Sequence, residues 1–564
     1  MEKSSSNFIQ NGKRDHGGKL RQYNYKLEEA EYRYFTEERL FYRRRNPVEK
    51  IAQRIPKPQI EGTFTWSDEL RCNYDGNTQF LPVEALEGCL PLEKLNQHLK
   101  PGFRLEVVVR PSLDPSITTK SPEIRWFGEV TAVCGFYVAI KFVGELNRRP
   151  CWFHMLSEDI FDIGSGLKQD PAMKWLQYRP LSLLKPMQCP KFWRRGSTPA
   201  PPVPRPTEEI LDEFQAELHE NRISEPKIFD QLRHLAHRPS RFRLNQRVEL
   251  LNYLEPTEIR VARILRILGR RLMVMVTAQD YPEDLPSVEA KDRQVQHENV
   301  EFWVDESSFF LFPVGFAMIN GLRTKATEGY LEHSRRIAEG SGSYHKDDVT
   351  FEQLFAGKPD ISAEKLNLLK VGQKFELLDP LSDLRQSFCV ATIRKICKTP
   401  GFLIISPDET ESDDESFPIH IDNHFMHPVG YAEKFGIKLD RLAGTEPGKF
   451  KWEGYLKEKQ AEKIPDEMLR PLPSKERRHM FEFGRVLEAV GQNETYWISP
   501  ASVEEVHGRT VLIEFQGWDS EFSELYDMDS HDLLPAGWCE FFNFKLRHPV
   551  LPVNDPNAEN GEYD

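Results

Sequence analysis

Cysteine is scarce and scattered in this chain: eight in 564 residues, none in a CxxC pair, the closest two being Cys389 and Cys397. A structural zinc site needs close paired ligands, so none is expected, and the thiols read as reduced and mostly buried. Long apolar runs are missing as well. No stretch is long enough to cross a bilayer, and the polar N-terminus has no signal-peptide pattern, so the chain reads as soluble and intracellular, with no membrane partner. Excess positive charge is absent too: the formal net charge is -13 and the pI near 5.8. Such a molecule is repelled by a phosphate backbone, which makes direct nucleic-acid binding a poor expectation. There is no nucleophile elbow, no phosphate loop and no histidine-carboxylate arrangement in a strand-loop context, so no enzyme activity and no cofactor are expected. "GSGS" (Gly340 to Ser343) lacks the lysine of a phosphate loop and reads as a flexible linker.

What is present is a fourfold repeat. At this length the chain should divide into roughly three to five domains. Four apolar-Glu pairs open four segments: Leu105-Glu106, Val248-Glu249, Phe375-Glu376 and Leu487-Glu488. Each precedes a two-strand hairpin with a glycine at or near its turn, Gly135, Gly269, Gly401 and Gly508, where positive φ is needed. The closing segments "SEDIFDIG", "SFFLFPVG", "NHFMHPVG" and "SHDLLPAG" also align. Ser157, Ser308, Asn423 and Ser530 should each bond their own backbone and start a turn, and Ile160, Leu311, Met426 and Leu533 should plug a core. Helical or proline-rich arms lie between the units and are expected to pack on neighbouring barrels. In the last arm Trp452, Tyr455 and Leu456 share a helical face; the first begins "TFTWSDEL".

"FKWEGYLKEKQAEKIPDEML", "GRVLEAV", "FQGWDSEF" and "LLPAGWCEFF" resemble the malignant brain tumor (MBT) repeat, most specifically in the fourth unit and less toward the first. The resemblance implies a mainly β fold of four tandem repeats, each a small Tudor-like (SH3-like) β-barrel plus an N-terminal helical or extended arm. The expected divisions are a polar tail (1-61), repeats at 62-185, 186-325, 326-445 and 446-554, and an acidic tail (555-564). It also implies a nuclear, chromatin-associated protein that binds histone tails and subunits of a chromatin repressor complex and acts in transcriptional repression. The tail's "YRRRNP" (Tyr42 to Pro47) reads either as an import signal or as a solvated basic run.

In that family a competent repeat holds mono- or dimethyllysine among three aromatics and an aspartate. Ring faces attract the alkylated ammonium, and the carboxylate accepts its remaining N–H. Carried over by position, the fourth unit offers Phe515, Trp518 and Phe522, with Gly491 at the acidic position and Glu494 as a stand-in acid. The third keeps Asp379 but has Ser406 for its first aromatic. The second has Asn252 and Val276, and the first Val109, Phe142 and Glu145, so these cages read as vestigial. Two readings stay open for Trp518 and its neighbours, a methyl-lysine pocket or a packing cluster. With every cage decayed, the chain would be a scaffold for protein partners. Trp152, Trp303 and Trp538 read as core or arm contacts, and His420, His424 and His427, in an extended segment, as surface or turn histidines with no metal between them.

Overall fold

The computed structural model describes residues 64–74, 76–86, 99–109, 124–143, 150–163, 165, 177–178, 228–236, 239–251, 257–276, 300–355, 361–380, 382, 385–408, 416–440, 450–491, 495, 497–518 and 520–547. The polar tail with its "YRRRNP" run, the acidic C-terminal tail, Asn252, Glu145 and Glu494 lie outside the described residues.

Four sheets repeat one topology. In each, five strands are ordered fourth, third, second, first, fifth, so the first strand lies between the long second strand and the short closing one. The first strands are Arg104–Val108, Arg247–Leu251, Lys374–Leu377 and Val486–Val490. Every second strand slips register once against the third, at Val130/Ala132, Ile264/Arg266, Ile393/Lys395 and Val503/Glu505. A bulge there bends the strand and raises its twist, which curls each sheet into a half-barrel. The hairpin glycines take φ of +57°, +57°, +79° and +70° in order, as the turns require. Ser157, Ser308, Asn423 and Ser530 each accept a backbone N–H two residues on, and the four plugs behind them are buried.

The repeated glutamates explain why the closing segments return to the first strands. Glu106, Glu249, Glu376 and Glu488 are all 0% exposed, and a carboxylate removed from water must be met by donors. Glu488 accepts N–H bonds from Gly537 (2.7 Å) and Cys539 (2.9 Å). Glu376 does the same with Gly430 and Ala432, and Glu249 with Gly315 and Ala317. Glu106 instead pairs with buried Arg125 at 3.0 Å.

Each of the last three carboxylates also takes a third donor from an arm, and the arm belongs to the next unit along the chain. Tyr330 OH reaches Glu249 (2.9 Å) and Trp452 Nε1 reaches Glu376 (2.7 Å). The chain then closes on itself, because Trp66 Nε1, from the first arm, reaches Glu488 of the fourth barrel at 3.0 Å. Parallel bridges follow the same rule: Asp348 with Arg247, Lys463 with Lys374, and Phe80 with Val486. Trp66 stands on the helix Trp66–Asn73, which Thr65 caps by accepting the Asp68 N–H. Leu81, Ala85 and Leu86 then enter the core of the fourth barrel. The helix Ile228–Ala236, ahead of the second barrel, sits on the first: the N–H of Phe229 donates to Asp162, and Arg233 to the carbonyls of Ser157 and Ile160.

Two expectations are corrected. His420 and His427 are buried rather than on the surface: His420 stacks on Phe309 of the second barrel, and His427 lies against Phe388 and Tyr431. The segment is extended as expected, and burial comes from Phe309 of the second unit over His420 and from residues of the third unit itself over His427. "GSGS" is a helix cap rather than a flexible linker. Gly340, at φ +70°, donates to the Ile337 carbonyl, and Ser341 and Gly342 to that of Arg336, closing the helix Glu328–Ala338.

Candidate functional site

The end of the fourth barrel gathers the aromatic candidates. Phe515 ends the third strand, Thr510–Phe515. The Trp518 N–H bonds back to the Phe515 carbonyl at 3.0 Å, with Gly517 at φ +79° between them. This tight turn needs its glycine and folds the indole back beside Phe515. A 3-10 turn, Ser520–Phe522, then brings Phe522 round, held by the Ser523 N–H on the Ser520 carbonyl. Trp518 and Phe522 meet edge to face, 5.4 Å between centroids and 76° between planes. Phe515 and Phe522 are 8% and 5% exposed, whereas Trp518 is half-buried, so of the three rings the indole is the most open to solvent.

A cation already sits against that indole. The guanidinium of Arg547 lies 4.7 Å from the Trp518 centroid and 3.7 Å from that of Trp497. The Arg547 N–H bonds to the Ile498 carbonyl, which fixes where this side chain starts. Both rings present their negative faces to positive charge, the attraction a methylated ammonium would use. Sequence reasoning missed Trp497 and Arg547. The signal available was an aromatic directly before the second strand Ile498–His507, facing the chain's return past the closing helix.

The other expected positions are not brought together as cages. Gly491 is at the mouth of the fourth barrel, its N–H on the Trp497 carbonyl. Asp379 is buried at the corresponding corner of the third barrel, where Ser406 Oγ donates to the Pro407 carbonyl at 3.0 Å and accepts from Arg394 Nη2 at 3.5 Å. Phe142 is a core residue of the first barrel, edge to face with Phe153, and Val276 is buried in the second. Trp538 and Trp303 are buried, and Trp152 meets Tyr74 of the first arm at 4.9 Å.

Neighbouring barrels hold the loops around the aromatic cluster. Gln386 Nε2 of the third unit donates to the Ser523 carbonyl (2.8 Å), and the Leu525 N–H to the Arg385 carbonyl (2.7 Å). From the second unit, buried Arg271 donates to the Thr495 carbonyl (2.6 Å), and the Trp303 N–H to Thr495 Oγ1 (3.3 Å). Among the described residues one group, His333, His345 and Asp348, has ligand-like spacing. Arg247 lies 2.6 Å from Asp348 and 3.2 Å from His345 Nδ1, so the group is a charge network fastening an arm to the second barrel.

A family model described as the mbt repeat matches residues 246–331, 373–446 and 485–551. Protein lin-61 of Caenorhabditis elegans is 40% identical over 499 residues, 87% of this chain and 77% of that protein. MBT domain-containing protein 1 of Xenopus tropicalis is 25% identical over 515 residues, covering 89% of this chain and 67% of that protein. Among solved structures, the four MBT repeats of Drosophila melanogaster Sfmbt in complex with the peptide RHR(me)KVLR match with a TM-score of 0.65. That match has 22% identity and covers 86% of this chain and 99% of the other.

Proposed function

The chain belongs to the malignant brain tumor (MBT) repeat family, and we propose that it is a nuclear, chromatin-associated protein that binds histone tails and reads methylated lysine through its fourth barrel. It acts by binding rather than by catalysis, with repression of transcription as the outcome and subunits of a repressor complex as further partners. The observation that carries this reading is the half-buried Trp518, edge to face with Phe522 and with a guanidinium 4.7 Å from its ring. An indole so placed attracts an alkylated ammonium, worth about 0.5–2 kcal/mol per ring depending on desolvation. The methylated-lysine peptide bound by the Sfmbt repeats is consistent with it. Phe515, Trp518 and Phe522 are the ring candidates, with Glu494 as the acid the positional match offers.

A second reading has its own support. Phe515 and Phe522 are nearly as buried as core residues, and Gly491 has no carboxylate, which suits a packing cluster on a scaffold that engages partners through its arms. Titration of the full chain with unmodified and methylated histone-tail peptides, followed by calorimetry, separates the two. Methyl-dependent binding that is abolished in a folded Trp518→Ala variant supports the reader. Absence of methyl dependence at millimolar peptide leaves the scaffold.

A further inference from the structure

The carboxylate missing at Gly491 has a counterpart elsewhere in the same barrel. We propose that Glu524 supplies the acid of the fourth pocket and sets its preference among methylation states; this rests on the reader assignment above.

Glu524 opens the fourth strand, Glu524–Asp527, two residues after Phe522, and is 1% exposed. It pairs across the sheet with Ile513, so its side chain shares a face with Ile513 and with Phe515, two residues further along that strand. Tyr526, on the same face, places its hydroxyl 2.8 Å from Glu524 Oε2 and 2.6 Å from the Val490 carbonyl, the residue before Gly491. One tyrosine therefore ties Glu524 to the corner where the positional match expects the aspartate. The acid approaches that corner from the fourth strand instead of the first loop.

A buried carboxylate must be met by donors, and the Tyr526 hydroxyl is one of them. Ile513, directly opposite, shows that an apolar side chain fits this layer. The neighbouring repeat stiffens the same strand, because the Leu525 N–H is held by the Arg385 carbonyl. A carboxylate here can accept the N–H of a mono- or dimethylammonium, whereas a trimethylammonium has none to give. The pocket should then favour the lower methylation states in spite of Gly491.

The test uses the full chain and one histone-tail peptide carrying unmodified, mono-, di- or trimethylated lysine. Wild type is expected to bind the mono- and dimethyl forms several-fold more tightly than the trimethyl form. In Glu524→Gln those two should weaken about tenfold and the trimethyl form by less than twofold. Adding Gly491→Asp to that variant should restore the order, since it returns a carboxylate to the corner next to the Val490 carbonyl that Tyr526 reaches. If Glu524→Gln does not fold, Glu524→Asp withdraws the charge by one methylene, and the same order of losses is expected. An unchanged preference in a folded Glu524 variant, or equal weakening of all methyl forms, overturns the proposal. Methyl-dependent binding that survives Trp518→Ala, or is absent from wild type, means instead that the reader assignment has failed.

Discussion

Removing one indole N–H at the start of the chain should loosen a barrel that lies more than four hundred residues away. Trp66 is 2% exposed, packed edge to face between Phe64 (4.9 Å) and Phe80 (5.3 Å), and donates to Glu488 at 3.0 Å. In Trp66→Phe the ring stack largely survives, while a buried carboxylate loses one of its donors. A hydrogen bond to a charged group is worth about 1.5–3 kcal/mol, and the partly emptied site adds about 1 kcal/mol. The expected cost is therefore about 2–4 kcal/mol, or roughly 30- to 1000-fold in local opening. Because a chain of several barrels need not unfold in one step, amide exchange is a better assay than a single melting curve. Protection should fall across Val486–Val490 and hold within about threefold across Arg247–Leu251 of the second barrel. Combining Trp66→Phe with Glu488→Gln should cost less than the sum, since both break the same contact. Unchanged protection in the fourth barrel, or an equal loss in all four, would refute the closure argument.

The buried carboxylates also predict a pH dependence. Burial pushes Glu488 up to about 7, against the pull of the Cys539 thiol and of the Cys539 and Gly537 N–H groups. The folded state thus keeps a proton that the unfolded chain releases above the ordinary glutamate range, so this contribution is full in acid and is lost as pH rises to about 7. The stability of wild type relative to Glu488→Gln should fall by about 3 kcal/mol between pH 4.5 and 7.5 and then level off, as read from urea midpoints. The comparison must be made against the variant, because burial lowers His154 and His531 to about 4 and they act in the opposite direction. Arg547→Ala removes a cation 4.7 Å from the Trp518 ring and should tighten methyl-peptide binding several-fold, by calorimetry. A loss of binding would mean that Arg547 braces the indole.

How much of this was legible depended on whether the cause lay within one unit. The glutamates, the turn glycines and Ser157, Ser308, Asn423 and Ser530 recur because each unit solves the same local problem, so their alignment was enough to recover the barrels. The spacing of Phe515, Trp518 and Phe522 was legible for the same reason. Contacts between units left no local trace. His420 reads as a turn residue until Phe309 stacks on it at 5.9 Å, and nothing near Trp66 announces Glu488. Glu524 was hidden differently: in a segment rich in Asp and Glu it looks like one more solvated charge, and only its burial singles it out.

These cross-unit contacts decide what a binding site on the fourth barrel would depend on. The turn carrying Phe522 is gripped by Gln386, from the third barrel's own acid-bearing loop, and the loop after Gly491 is gripped by Arg271 of the second. The third barrel, which has Ser406 where its first ring should be, therefore still has work to do: the loop that holds Asp379 has become a support for the aromatic turn next door. The first arm adds a further constraint, because without Trp66 the strand leading to Gly491 loses one of the donors that anchor Glu488. A barrel excised on its own would lack all three supports and expose the apolar surface they cover. Loss of binding by such a fragment would therefore report the missing neighbours and not the chemistry of the pocket.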